Sequence, residues 1–174
     1  MVPDVEEIVE GDPEEVVLEN ARRKAIVGSE AAPPGSLVLG VDTEVVLDGR
    51  TLGKAADRAA ARARLQGLSA RIHTVISAVV VLGPTAEGRR PAERSGVSRS
   101  EVTFRHLDQA AIESYLDSED WRDRAGAYAI QGLGSTLVER VEGEFSNVVG
   151  LPVRLLFDLV PELRDAAGDS PREG

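Results

Sequence analysis

The sequence predicts a layered α/β (α+β) domain, a mixed, twisted β-sheet with helices packed on it. Three observations predict it. Valine-rich apolar runs alternate along the chain with segments whose apolar residues recur at helical spacing, which calls for sheet and helix layers. A short hairpin signal, Asp48-Gly49, interrupts that alternation and favours some antiparallel pairing. The chain has 174 residues with 42% hydrophobic and 29% charged side chains, a composition able to bury a core without staples. One domain is expected over residues 1–164, followed by a polar tail at 165–174.

Each element follows from local chemistry. Residues 1–11 read as a stub in which Met1-Val2-Pro3 resembles the end of a strand. Asp12, Pro13 and Glu15 form a helix start, with a cap, a proline at the first helical position and an Asp-x-x-Glu box. Val17, Leu18, Ala21 and Ala25 give that helix its buried stripe, and Gly28 is expected to end it. The run Leu37-Val38-Leu39-Gly40-Val41 reads as a strand buried on both faces, ending at Asp42-Thr43. Residues 44–52 then read as a hairpin. Asp57 caps a short helix that stops at Gly67, and residues 72–82 form a long strand. Residues 83–100 read as loop, with Arg89, Arg90, Arg94 and Arg99 making it basic. Val102-Thr103-Phe104 is a strand. Asp108 caps a helix with Ala111, Ile112, Tyr115 and Leu116 inward. Residues 121–135 are glycine-spaced loop and residues 136–141 a strand. Pro152 opens a last helix with Leu155, Leu156, Leu159 and Leu163 on one face.

Composition excludes several functions. There are no cysteines, so disulfides, thiolate metal sites and cysteine nucleophiles are absent. No apolar run approaches ~18 residues, so no membrane-spanning helix is expected. A net charge of -10 disfavours binding to a nucleic-acid polymer. The basic residues of 83–100 lack interleaved aromatics for stacking on bases. No Gly-x-Ser-x-Gly elbow and no Gly-x-x-x-x-Gly-Lys-Ser/Thr loop is present. His73, at a strand start, reads as structural, and His106 as exposed.

Asp42 is the first residue to single out. It is expected to leave the core at the carboxyl end of a strand, where layered α/β proteins bind ligands. Glu44, two residues on, faces the same side if the chain stays extended, and two carboxylates can hold a hard divalent cation. Asp42-Thr43 is equally a turn start with Glu44 solvated. Lys24 and Lys54 are candidate anion-binding cations, and each is also an ordinary solvated lysine. Gln131 lies among glycines that permit tight turns, where its amide reads a donor-acceptor edge or simply ends a strand.

Taken together, these segments resemble the Maf family of nucleotide pyrophosphatases, with its Maf/inosine-triphosphatase-like fold. The likeness rests on Asn20-Ala21-Arg22-Arg23-Lys24-Ala25; on Leu39-Gly40-Val41-Asp42-Thr43-Glu44-Val45-Val46-Leu47-Asp48-Gly49 with Gly53-Lys54; on Leu68-Ser69-Ala70-Arg71-Ile72-His73-Thr74-Val75; and on Arg124-Ala125-Gly126-Ala127-Tyr128-Ala129-Ile130-Gln131-Gly132-Leu133-Gly134 with Glu142-Gly143-Glu144-Phe145-Ser146-Asn147-Val148-Val149-Gly150-Leu151-Pro152. Order and spacing match over nearly the whole chain.

The resemblance implies a cytoplasmic hydrolase that cleaves a nucleoside triphosphate to the monophosphate and pyrophosphate, with a divalent metal, Mg²⁺ or Mn²⁺. Asp42 would match the family's proton acceptor and a metal ligand. Glu7 would match its acidic residue near the metal, Lys24 and Lys54 its phosphate-binding lysines, and Thr43 and Gln131 its base-selectivity positions. Arg124 stands where the family has a lysine and is expected to bind substrate. The Ile130-Gln131-Gly132 and Asn147-Val148-Val149-Gly150 forms resemble the branch acting on dTTP and UTP. A homodimer is also implied, with no nucleic-acid polymer or membrane as partner. The family begins with a strand and a Ser-Pro-Arg-Arg turn whose arginines help hold the triphosphate. This chain is expected to start after them, as a truncated reading of a longer gene or as a catalytically impaired relative that binds nucleotide or a partner without turnover. Its strand at 37–41 is then expected to present an unpaired edge.

Overall fold

A computed structural model describes residues 5–84 and 92–164. Its strands are β1 (Val38–Leu47), β2 (Arg50–Thr51), β3 (Ile72–Leu82), β4 (Glu93–Phe104) and β5 (Val138–Glu142), in one sheet of order β2-β1-β3-β4-β5. Helices α1 (Pro13–Ala31), α2 (Arg58–Leu68), α3 (Gln109–Asp117), α4 (Phe145–Val149) and α5 (Val153–Leu159) pack on it. The layered helix-and-sheet fold is as expected. All the described pairings are antiparallel, where the sequence suggested a mixed sheet.

Alternation along β3 divides the core. Ile76, Ala78, Val80 and Leu82 face α1, where Val17, Ala21 and Ala25 cover them. Val75 points to the other face and joins Leu65 and Leu68 of α2, Tyr115 and Leu116 of α3, and Phe104. Val79 and Val81 on that face meet Leu155, Leu156 and Leu159 of α5. The sheet is therefore covered on both sides.

Caps match their chemistry. The Asp12 carboxylate accepts from the Glu14 and Glu15 amides, Asp57 from the Ala60 amide and Asp108 from the Ala111 amide. α1 runs through Gly28 to Ala31, because Gly28 is a packing glycine and not a stop. A Cβ there would lie 3.2 Å from Val38 Cγ1.

Several expectations are corrected. β1 does not end at Asp42-Thr43. It pairs with β3 from Val38 against Leu82 to Val46 against Thr74, so Asp42 lies mid-strand opposite Ala78. Nor is its start buried on both faces, since Leu37 and Leu39 are exposed. Residues 93–100 are strand and not loop. β4 follows β3 along its whole length, and that long backbone ladder outweighs the polar, glycine-containing composition. Arg94 and Arg99 lie on this strand, paired with Glu162 and Glu14, so they form no basic loop. Gly132–Leu137 is a 3-10 helix and β5 starts only at Val138. α4 was not anticipated. The last helix stops at Leu159, two residues before Pro161, so Leu163 is not part of its face. The Met1-Val2-Pro3 reading, Arg89, Arg90 and the tail at 165–174 lie outside the described residues. β2 covers only Val46 and Leu47, so among the described residues no strand pairs with the outer edge of β1 from Val38 to Val45.

Candidate active site

The site begins with a close approach. A Cβ at Gly40 would fall 2.1 Å from the Ala21 carbonyl oxygen and 2.6 Å from the Ala25 nitrogen, so only glycine lets α1 lie this near β1. Alternation then sends Asp42 and Glu44 toward α1, two and four residues beyond that contact. Lys24, next to Ala25, reaches down to them.

Lys24 Nζ donates to Asp42 Oδ1 at 2.5 Å and lies 2.6 Å from Glu7 Oε1. Lys54 Nζ is 3.9 Å from the other Glu7 oxygen and is mostly exposed. Asn20 Nδ2 reaches Asp42 Oδ2 at 3.4 Å. Asp42 is only 8% exposed, and side chains of α1 hold both of its oxygens. Burial works against the charge on Lys24, but its hydrogen bonds to Asp42 and Glu7 outweigh that and raise its pKa. Burial likewise pushes Glu7 up, yet Lys24 and Lys54 bring it below the usual carboxylate range. Glu44 has no such cation in contact. Burial and the neighbouring Asp42 push it up to about 7, and its Oε2 is buried with no hydrogen-bond partner.

These groups line a cleft of about 480 Å³. Thr43 and Val45 line it too, although they point to the opposite face from Asp42, so the cleft wraps around the open edge of β1. Lys54 is held there by a backbone bridge to Ala125, by the Gly126 amide donating to the Gly53 carbonyl at 2.9 Å, and by Arg64 donating to that carbonyl at 2.7 Å. Arg124, Tyr128 and Gln131 form the facing wall. On the Thr43 side, Thr43 Oγ1 lies 2.8 Å from Ser77 Oγ, and Ser77 donates to the Asn147 carbonyl at 3.1 Å. That chain fixes α4, whose end brings Val149 and Gly150 to the cleft.

The structure thus brings Glu7, Lys24, Asp42, Thr43, Lys54, Arg124 and Gln131 to one cavity. It departs from the sequence reading in how Asp42 becomes reachable, through the uncovered edge of a strand and not its carboxyl end. His73 is buried, its Nε2 2.8 Å from the Tyr128 hydroxyl, so it is structural; His106 is exposed. Sequence reasoning missed Asn20, although a polar residue inside the apolar stripe of α1, four before Lys24, was a usable signal.

Carboxylate oxygens are the donors that hard divalent cations take. Among the described residues no group of three His, Cys, Asp or Glu side chains is arranged to hold a metal. Asp42 and Glu44 nevertheless share a face, and the unpartnered Glu44 oxygen calls for a donor or a cation. Magnesium and manganese are commonly held by one or two carboxylates, with phosphate oxygens and water completing the shell.

The model of the family described as "Maf-like protein" matches residues 1–163. A protein named dTTP/UTP pyrophosphatase from Caldanaerobacter subterraneus subsp. tengcongensis is 40% identical over 160 residues, 90% of this chain and 74% of that one. One of the same name from Alcanivorax borkumensis is 44% identical over 140 residues, 80% of this chain and 69% of that one. Another from Pyrococcus abyssi is 38% identical over 148 residues, 85% of this chain and 75% of that one.

Proposed function

Because this chain belongs to the Maf-like protein family, we propose that its cleft hydrolyses dTTP, UTP or related non-standard nucleotides to the monophosphate and pyrophosphate. Relatives at 38–44% identity carry the name dTTP/UTP pyrophosphatase. The observation that supports the site assignment is the buried Asp42 carboxylate held between Lys24 and Asn20 in a cavity that Lys54 also lines.

Asp42 accepts the proton of the water that attacks the α-phosphorus. General-base assistance of this kind contributes ~10²–10⁴-fold. Lys24 and Lys54 offset charge on the departing pyrophosphate. For Lys24 this means exchanging carboxylate partners for phosphate oxygens, which its position between Glu7 and Asp42 permits. Arg124 binds the substrate from the facing wall, and Thr43 and Gln131 read the base. Glu7 keeps both lysines oriented. Carboxylates outnumber cations among the lining residues. A magnesium or manganese ion held by Asp42, with Glu7 and Glu44 beside it, would neutralise phosphate charge and lower the pKa of water.

The same reading places the enzyme in the cytoplasm as a homodimer acting on free nucleotides, not on a nucleic-acid polymer or at a membrane. No helix among the described residues is long and apolar enough to cross a membrane. A second reading, nucleotide binding without turnover, is favoured by one observation: Lys24 is already neutralised by two carboxylates.

A panel of triphosphates assayed for pyrophosphate release with Mg²⁺ or Mn²⁺ separates the two. Hydrolysis of dTTP and UTP, falling at least about a hundredfold in Asp42→Asn, supports the enzyme. Binding with no release supports the second reading, and release that survives Asp42→Asn refutes the assigned role of Asp42.

A further inference from the structure

The side chain of Asn20 is 1% exposed, in the middle of the apolar stripe of α1. A buried amide is costly unless its donors and acceptor are satisfied, and this one has its acceptor and both donors engaged. The Ile8 amide donates to Asn20 Oδ1 at 2.8 Å, and Asn20 Nδ2 donates to the Ile8 carbonyl at 3.0 Å. The other Nδ2 proton is directed to Asp42 Oδ2 at 3.4 Å. These partners fix the amide's orientation. A flipped side chain would set Nδ2 against the Ile8 N–H and Oδ1 against both the Ile8 carbonyl and the Asp42 carboxylate.

Asn20 and Lys24 stand four residues apart, on one face of α1. Between them they hold both Asp42 oxygens, Oδ1 by Lys24 and Oδ2 by Asn20. Both also hold the segment before α1, Lys24 through the Glu7 carboxylate and Asn20 through the Ile8 backbone. Arg23 adds a bond from Nη1 to the Glu6 carbonyl at 2.9 Å. Three close substitutes each lose part of this. Leucine fills the space with no polar atom, aspartate keeps an acceptor but has no donor, and glutamine is one methylene too long.

We propose that Asn20 is a positioning residue for the reaction, orienting the Asp42 carboxylate while it docks the segment that carries Glu7 against the cleft. The proposal rests on the reading of Asp42 as proton acceptor. Asn20 touches no substrate in this account, so its loss should appear in turnover and not in substrate affinity.

The test uses the full chain and two variants. Leucine at position 20 is close in volume and a good helix former, so Asn20→Leu is expected to fold. It should speed hydrogen exchange at the Ile8 amide about tenfold or more and lower kcat for dTTP about tenfold to a hundredfold, with KM near the wild-type value. Asn20→Asp retains the acceptor for the Ile8 amide and should keep most of its protection. It should still lose at least as much kcat, because the donor to Asp42 is replaced by a like charge. Unchanged kcat in both variants, or a rise in KM with kcat unaltered, overturns the proposal while leaving the enzyme reading intact. A kcat loss confined to Asn20→Leu shows docking without orientation and overturns it as well. Wild-type protein that releases no pyrophosphate overturns the functional reading and this proposal together.

Discussion

Replacing Glu44 by glutamine should change the way stability depends on pH. The carboxyl is raised from an ordinary 4.5 to about 7, by burial first and by Asp42 second. At pH below 4.5 it is neutral in both folded and unfolded chains and costs nothing. Between 4.5 and 7 the unfolded chain ionises first, so stability is lost as pH rises, by about 1.4 kcal/mol per unit. Above pH 7 the loss is constant at about 3 kcal/mol, an upper bound because the side chain is only partly buried. Glutamine carries no such charge. Its own polar cost at the unpartnered Oε2 position is independent of pH and cancels from the comparison. Urea unfolding of both proteins at pH 4.5 and pH 8 measures the difference. The variant should gain up to about 3 kcal/mol relative to wild type between those two conditions. An equal difference at both pH values would refute the burial of an uncompensated carboxyl at this position.

His73→Phe should blunt the acid sensitivity of the fold. Burial lowers the His73 pKa from 6.5 to about 4, so wild type loses up to about 3 kcal/mol as pH falls through that window and the variant does not; thermal melts at pH 4 and pH 7 check it. Gly40→Ala should destabilise by about 1–3 kcal/mol or more, since its Cβ meets α1 backbone, and should impair activity by pushing α1, and Lys24 with it, away from the cleft; chemical denaturation and a pyrophosphate assay measure both. Lys24→Met should cut kcat/KM at least about a hundredfold and raise the pKa of Glu7, read by steady-state kinetics and by NMR titration of the carboxyl.

Much of the fold was legible because its signals are local. Asp12, Pro13 and Asp108 declare their helices through caps, and the unbroken valine-rich run from Ile72 to Leu82 is the strand it reads as. What the sequence hid depends on distant partners. Glu93 to Ser100 has loop composition and becomes strand because β3 offers it a full ladder. Asp42-Thr43 reads as a turn and stays extended because Ala78 and Ser77 pair with it. α4 is only five residues long and is fixed by Asn147, which donates to the Val75 carbonyl and to Ser100 from one buried side chain. For the site, spacing along β1 placed Asp42 and Glu44 together. The convergence of Glu7, Lys24 and Lys54, from three separate segments, had no spacing signal and came from resemblance. Asn20 looked like an ordinary helical polar residue, because its role depends on the segment before α1 folding back so that the Ile8 backbone meets it.

The most direct measurement is hydrolysis of dTTP by the wild-type chain in ¹⁸O-labelled water, followed by mass analysis of the products. Water attack on the α-phosphorus puts the label in dTMP and leaves the pyrophosphate unlabelled. Label in the pyrophosphate, release of inorganic phosphate in its place, or no hydrolysis at all would contradict it.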